Sequence, residues 1–156
     1  MRILRYCSSI VLLLLATAAS AQFQQAPTAS PAKWKYEVKK KSGNDYQLIL
    51  HLELAKGWHI WSLTPGGDGF QIVPSVAFDN NPNVQLKGKL TEKGHATTTT
   101  MDGVDGKVTY LSGNVDYIQE VTVKGSTRIT GKHTWQVCDD KQCLAPTDKD
   151  FVFEIK

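Results

Sequence analysis

Two cysteines near the C-terminal end of the chain are the residues best suited to do chemistry. Cys138 and Cys143 stand four residues apart, and the segment between them, residues 139–142, is Asp-Asp-Lys-Gln. A cysteine pair can form a disulfide that only braces the chain, or one that exchanges with the thiolate of a partner protein. The function of the chain depends on which of these two roles the pair has.

The residues around the cysteines leave both roles open. A disulfide that closes a loop of about six residues contributes about 2 kcal/mol to stability, which is a small gain for a domain with its own core. For a redox role, Asp139 and Asp140 disfavour a neighbouring thiolate, whereas Lys141 favours one. The local charges therefore indicate no strongly acidic thiol and exclude neither interpretation.

Two other uses of cysteine are disfavoured by spacing. A thioredoxin-type site has two residues between its cysteines at the start of a helix, and this pair has four in a segment without helical periodicity. A zinc site needs four ligands. His133 lies near the pair in sequence, but His51, His59 and His95 show no ligand spacing. We expect no metal and no other cofactor.

The N-terminus has the pattern of a secretory signal. Arg2 and Arg5 precede an apolar stretch at residues 10–15, and Ala-Ser-Ala at 19–21 provides small residues for cleavage after about Ala21. The apolar stretch is shorter than the roughly 20 residues that span a bilayer. Cys7 lies inside residues 1–21 and would be removed with the signal, which leaves Cys138 and Cys143 as the thiols of the mature chain.

The mature chain is expected to hold one exported domain. Residues 22–32 are rich in Gln, Ala, Pro and Ser and predict a flexible leader, and residues 33–156 predict the domain. Removing Arg2 and Arg5 from the 18 basic residues leaves 16, against 15 acidic residues. This balance disfavours nucleic acid as a partner, and no second apolar stretch predicts insertion into a membrane.

Alternating apolar and polar residues predict an all-β fold. In residues 45–54, Tyr46, Leu48, Leu50, Leu52 and Leu54 share one face. Pro74 marks an edge or a bend. Turn residues at 42–44, 65–67, 80–82, 112–114 and 124–126 separate the segments, and residues 95–107 predict a loop. We expect an immunoglobulin-like antiparallel β-sandwich of eight or nine strands, with strands at 34–40, 45–54, 57–62, 70–78, 83–90, 107–111, 114–123, 130–138 and 150–155.

The cysteine segment and two upstream segments resemble a known family. Trp-Gln-Val-Cys at 135–138 and Cys-Leu-Ala-Pro-Thr at 143–147, followed by a final strand, are similar to the N-terminal periplasmic domain of the disulfide reductase DsbD. Gly-Trp-His-Ile-Trp-Ser at 57–62 resembles the glycine-plus-aromatic segment of that family. Tyr110 and residues 115–123 resemble its strand after the cap loop. The resemblance covers most of residues 33–156.

The resemblance implies an immunoglobulin-like fold with the two cysteines on adjacent strands. It also implies periplasmic thiol–disulfide exchange, as a component of a protein-disulfide reductase. A transmembrane reductase, separately encoded for this stand-alone version, or a thioredoxin-like protein would supply electrons, which pass to oxidised exported proteins. Cys143 would attack the substrate disulfide, and Cys138 would resolve the mixed disulfide.

The resemblance further implies a cap loop over the cysteines. By order along the chain, this loop falls on residues 102–106. Val104 stands where the family usually has an aromatic residue, and Asp102 corresponds to its acidic neighbour. His59 and Trp61 would correspond to the aromatic residues packed beside the cysteines, with His59 in place of a tyrosine.

Two other classes of function remain alternatives. Trp34, Trp58, Trp61 and Trp135 could supply stacking surfaces in a non-catalytic β-sandwich module that binds, for example, sugars and carries a structural disulfide. The chain could also be a purely structural exported domain. Tryptophans aligned on one open face would favour the binding module.

Overall fold

Residues 30–156 form nine antiparallel strands. The computed structural model describes residues 30–156, so the predicted signal at 1–21, Cys7 and residues 22–29 of the predicted leader lie outside the described residues. Within residues 30–156, no helix is long and apolar enough to cross a membrane. The strands are β1 Ala32–Ser42, β2 Asp45–Leu54, β3 His59–Gly66, β4 Ser75–Phe78, β5 Val84–Thr100, β6 Lys107–Val123, β7 Thr127–Trp135, β8 Val137–Cys138 and β9 Thr147–Ile155.

The strands form two sheets of an immunoglobulin-like sandwich, as the sequence predicts. The larger sheet has the order β1-β2-β6-β3-β8. β2 and β3 pair with different halves of β6, and β5 pairs with both halves along the opposite edge. The smaller sheet has the order β4-β7-β9. Pro74 comes directly before β4, an edge strand of the smaller sheet, where its missing N–H costs no ladder hydrogen bond.

The core lies between the two sheets. β2 has the predicted bounds, and its apolar face is buried because side chains alternate along a strand: Leu48 and Leu50 are 0% exposed. Burial of apolar surface from both sheets supplies the main free energy of folding. The buried cluster is drawn from seven of the strands: Ala32, Leu48, Leu50, Leu52, Leu54, Ile60, Leu111, Val115, Tyr117, Val121, Val123, Ile129, Trp135, Val137, Phe151, Phe153 and Ile155.

The predicted strand at 130–138 is divided between β7 and β8, which belong to different sheets. Two further local predictions, both in the β5–β6 hairpin, are also wrong. Residues 95–100, expected in a loop, belong to β5, where the four threonines at 97–100 pair with residues 107–110 of β6. The predicted turn at 112–114 lies inside β6 instead, and the register shifts there opposite Gly94 and His95. Glycine at a positive φ of 69° suits a bulge as well as a turn, so Gly113 alone could not distinguish them.

The interruption in β6 decides which strand pairs with each half of it. Residues 114–122 pair with β2, and residues 108–112 pair with β3. β8 then pairs with the start of β3, through His59 with Cys138 and Ile60 with Val137. The first cysteine is therefore fixed to the core sheet through β3.

Candidate functional site

Cys138 and Cys143 form a disulfide between two antiparallel segments. The S–S distance is 2.02 Å and the Cα–Cα distance is 4.0 Å. Cys138 ends β8, and Cys143 pairs with it through an isolated antiparallel bridge. The backbone N–H of Leu144 donates to the carbonyl of Val137 at 3.0 Å, which extends the pairing beyond the cysteines.

A tight turn at residues 139–142 brings the cysteines together. The backbone N–H of Asp139 donates to the carbonyl of Gln142 at 2.9 Å. The Asp139 carboxylate accepts the backbone N–H groups of Lys141 and Gln142, each at 2.8 Å, which is the aspartate turn geometry that this residue type favours. These two hydrogen bonds lower the pKa of Asp139. The hydrogen-bonded turn at residues 139–142 thus holds the two cysteines on adjacent antiparallel segments.

The two cysteines differ sharply in exposure. Cys138 is 2% exposed, whereas Cys143 is exposed at the surface. Thiol–disulfide exchange proceeds by attack of a thiolate on one sulfur of the disulfide, and the attack depends on access to that sulfur. A partner thiolate approaching from solvent can therefore reach the sulfur of Cys143, while Cys138 stays covered.

A group of aromatic side chains shares one face with the buried cysteine. His59 lies directly opposite Cys138 on β3 and is 7% exposed. Its ring centroid is 4.5 Å from that of Tyr110 on β6 and 5.7 Å from that of Trp61. Burial lowers the pKa of His59, and the nearby charges of Asp140 and Asp139 oppose part of this effect. Burial therefore favours the neutral form of the imidazole that lies opposite Cys138.

The structure places the predicted cap residues in the connection between β5 and β6. The backbone N–H of Val104 donates to the carbonyl of Met101 at 3.2 Å. Val104 is half-buried against the connection between β3 and β4, where its Cγ1 lies 3.2 Å from the position that a Cβ on Gly67 would take. Asp102 is exposed and makes no side-chain hydrogen bond or ion pair within residues 30–156. His59 thus lies opposite Cys138, Trp61 lies next to His59, and Val104 packs against the connection between β3 and β4.

A buried polar contact fixes the course of β3 just beyond this aromatic group. The hydroxyl of Ser62, which is 3% exposed, donates to one carboxylate oxygen of Glu92 on β5. The backbone N–H of Leu63 donates to the other oxygen at 2.9 Å, and that of Thr64 donates to Ser62 Oγ at 3.1 Å. The pairing of β3 with β6 is irregular between Trp61 and Gly66. Glu92 therefore satisfies groups that this irregularity removes from the ladder.

The tryptophans do not form an open stacking face. Trp61 is 8% exposed and Trp135 is 6% exposed, while Trp34 and Trp58 are half-buried against the core. Trp34 and Trp135 pack on each other, with ring centroids 5.1 Å apart. This arrangement counts against the sugar-binding alternative. Among the described residues, no three His, Cys, Asp or Glu side chains are grouped so as to hold a metal ion.

Two residues of the site were not predicted as such from the sequence. Tyr110 alternates with Ser112 along β6, a spacing of two that places both on one face, but the strand register that brings Tyr110 onto His59 cannot be read from a single sequence. Glu92 had no distinguishing signal, because a charged residue in a polar strand segment is usually solvated.

Comparisons with known proteins agree on one family. The family model described as the N-terminal part of the thiol:disulfide interchange protein DsbD matches residues 23–155. The N-terminal periplasmic domain of ScsB from Proteus mirabilis has a similar structure, with a TM-score of 0.61, 18% sequence identity and 83% of this chain covered. The reduced N-terminal domain of DsbD from Neisseria meningitidis has a TM-score of 0.53 and 13% identity, with 78% of this chain and 84% of that chain covered.

These structural likenesses extend to the fold alone, because both identities are low. The chain spans about half of the ScsB chain, of which 48% is covered. A comparison with curated proteins gave no match. The match of the family model over residues 23–155 is thus the comparison that bears on function.

Proposed function

The chain belongs to the family of N-terminal domains of the thiol:disulfide interchange protein DsbD and is a thiol–disulfide exchange domain, and from this membership we propose that it carries reducing equivalents in the periplasm through Cys138 and Cys143. The chemistry requires two sulfurs that can bond, and they lie 2.02 Å apart. It also requires one sulfur that a partner can reach.

The unequal exposure of the two cysteines is the observation that carries this proposal. In the reduced domain, the exposed Cys143 thiolate attacks a substrate disulfide, forms a mixed disulfide and releases one substrate thiol. The buried Cys138 then attacks the sulfur of Cys143, which forms the Cys138–Cys143 disulfide and releases the second substrate thiol. The substrate gains two electrons, and the domain loses two.

Reloading follows the same route in reverse. A donor thiolate attacks the sulfur of Cys143, and Cys138 leaves as a thiolate that takes up a proton. The second donor thiolate then attacks the donor sulfur bonded to Cys143, which forms the donor disulfide and releases Cys143 as a thiolate. We assign a transmembrane reductase or a thioredoxin-like protein as donor and oxidised exported proteins as acceptors, on the basis of family membership. The exposure of Cys143 but not of Cys138 supports this assignment, since donor and acceptor would then both react at Cys143.

The surroundings of the pair have a shielding role in this proposal. We expect His59, the register partner of Cys138, to cover it from the β3 side, with Trp61 packed on His59. The connection between β5 and β6, which contains Asp102 and Val104, is the proposed cap loop. We assign this role to the connection because it leads directly into β6, the strand on which Tyr110 packs against His59. Valine covers less area than an aromatic side chain, so the shield at Val104 is a small one.

Single-cysteine variants test the assignment of the two roles. Cys138→Ser retains the attacking thiol but lacks the resolving one, so it should accumulate a mixed disulfide when mixed with an oxidised thioredoxin-like protein. Cys143→Ser retains only the buried thiol and should accumulate little or none. Acid quenching followed by non-reducing electrophoresis measures the trapped complex, and mass spectrometry identifies the bonded cysteine.

The two variants control for each other, because each removes the same disulfide and leaves one thiol. Equal trapping by both would show that exposure does not assign the roles. Trapping by neither, with a set of thioredoxin-like proteins of suitable potential, would contradict the exchange function itself.

A further inference from the structure

His59 and Cys138 face each other across two paired strands. Their Cα atoms are register partners between β3 and β8, and residues directly opposite in an antiparallel pair project to the same side with Cβ atoms about 4.5–5.5 Å apart. Ser112 is the partner of His59 on its other side, on β6. The side chain of a histidine at this separation can bring a ring nitrogen to a neighbouring thiol.

The resolving step raises a problem that this arrangement can solve. Cys138 must lose its proton to attack Cys143, because the thiolate is the nucleophile. Cys138 is 2% exposed in the oxidised domain, and burial disfavours a charged thiolate. Asp139 and Asp140 follow it directly, and negative charges disfavour the thiolate further. Cys138 therefore needs a nearby group to take its proton.

We propose that His59 is the general base that accepts the proton of Cys138 during resolution of the mixed disulfide, an inference that rests on the proposed exchange function. As the proton moves to the imidazole, the Cys138 sulfur bonds to the sulfur of Cys143. The bond between Cys143 and the substrate sulfur breaks, and the substrate leaves as a thiolate. The imidazolium then returns its proton to that thiolate or to water.

The groups around His59 keep it in the form that accepts a proton. Tyr110 packs on the ring from β6, and Asp139 and Asp140 act on it from the turn after β8. Burial dominates these influences and holds the pKa of His59 below its usual value. The negative charges of Asp139 and Asp140 stabilise the imidazolium once His59 has accepted the proton. They therefore assist the transfer of the proton from Cys138 to His59.

The two sulfur steps can be followed separately with one small reagent. One equivalent of 5,5′-dithiobis(2-nitrobenzoate) added to the reduced protein reacts first with Cys143 and releases one thionitrobenzoate. Attack by Cys138 on the resulting mixed disulfide releases the second. Stopped-flow absorbance between pH 6 and pH 9 then gives a rate for attack by Cys143 and a rate for resolution by Cys138.

His59→Phe removes the ring nitrogens and keeps an aromatic ring against Tyr110. We expect resolution at pH 7 to slow roughly 100-fold, the lower end of what general bases contribute, while the first phase keeps its rate. In the variant, the rate of resolution should rise about tenfold per pH unit up to the pKa of the Cys138 thiol, because only spontaneous ionisation of that thiol then supplies the thiolate. In the unaltered protein it should be nearly level above pH 7. His95→Gln, at an exposed position on β5, is the matched control.

Each outcome has a distinct meaning. Matching pH profiles for His59→Phe and the unaltered protein would overturn the role of His59, and so would a slower rate with an unchanged slope, which would indicate packing alone. A rate of resolution that rises tenfold per pH unit in the unaltered protein would overturn the role of His59 without any variant. If His59→Phe does not fold, His59→Tyr repeats the test. Absence of the second release from the unaltered protein would instead contradict the exchange function.

Discussion

At the scale of single residues, burial rather than residue type separates the roles of like side chains. Cys138 and Cys143 are chemically identical, and only the second is exposed. The histidines differ instead in their neighbours, because His59 and His133 are both buried. His59 lies beside a sulfur, whereas His133 lies inside the core at 1% exposure, where Tyr36 Oη contacts its Nε2 at 2.9 Å. The ring of Trp135 stacks on it with centroids 4.6 Å apart.

The buried His133 predicts a loss of stability in mild acid. Burial, with a smaller contribution from the charge of Lys149, lowers the pKa of His133 to about 4, against an ordinary value of 6.5 in the unfolded chain. The unfolded chain therefore binds a proton first as the pH falls. Stability is fully present above pH 6.5 and falls by about 3 kcal/mol towards pH 4 from this residue. Urea unfolding between pH 7.5 and pH 4 measures it.

His133→Gln should remove this part of the pH dependence, because glutamine does not titrate and can still meet the hydroxyl of Tyr36. Parallel curves for His133→Gln and the unaltered protein would contradict the account.

The sequence could predict the candidate cysteine pair but not the exposure of each cysteine. The cysteine spacing and the flanking residues indicated the pair, and the resemblance indicated His59 and Trp61. The sequence left the roles of the cysteines open because local charges oppose one another there. Exposure depends on which strands cover a residue, and that is decided by long-range pairing such as that of His59 with Cys138.

At the scale of elements, the bounds of a strand could be predicted where apolar residues alternate along it and one face is buried. β2 was predicted with its bounds because its leucines alternate strictly. The β5–β6 hairpin was not, because residues 97–100 and 112–114 have polar and turn-forming side chains that suit both loops and exposed strands. Pairing with the partner strand decides such segments, since β-propensity depends on context.

The contact between β3 and β5 is the element-scale feature that positions the site. Glu92 accepts from Ser62 and from the backbone of Leu63, just after Trp61. Glu92→Ala leaves these buried donors without a partner and should lower the free energy of unfolding by about 2 kcal/mol. Lys93→Ala, at the neighbouring exposed position of the same strand, should have little effect. Urea denaturation compares them, and equal effects would show that Glu92 does not hold β3.

At the scale of the whole molecule, the main buried cluster of the domain is formed without the two cysteines. The buried cluster draws on both sheets, and the cysteines lie at its margin, on β8 and the turn after it. A disulfide with a sequence separation of 5 restricts the unfolded chain only slightly, by about 2 kcal/mol. We therefore expect the fold to persist when the disulfide is reduced, as the proposed exchange function requires.

The reduction potential of the Cys138–Cys143 disulfide tests the exchange function most directly. It is measured by equilibrating the domain in redox buffers of known potential and quantifying free thiols after acid quenching. We predict a value between about −270 and −120 mV, the range covered by proteins that exchange disulfides. A value below about −300 mV, which is typical of structural disulfides, would contradict the carrier function and leave the pair as a brace.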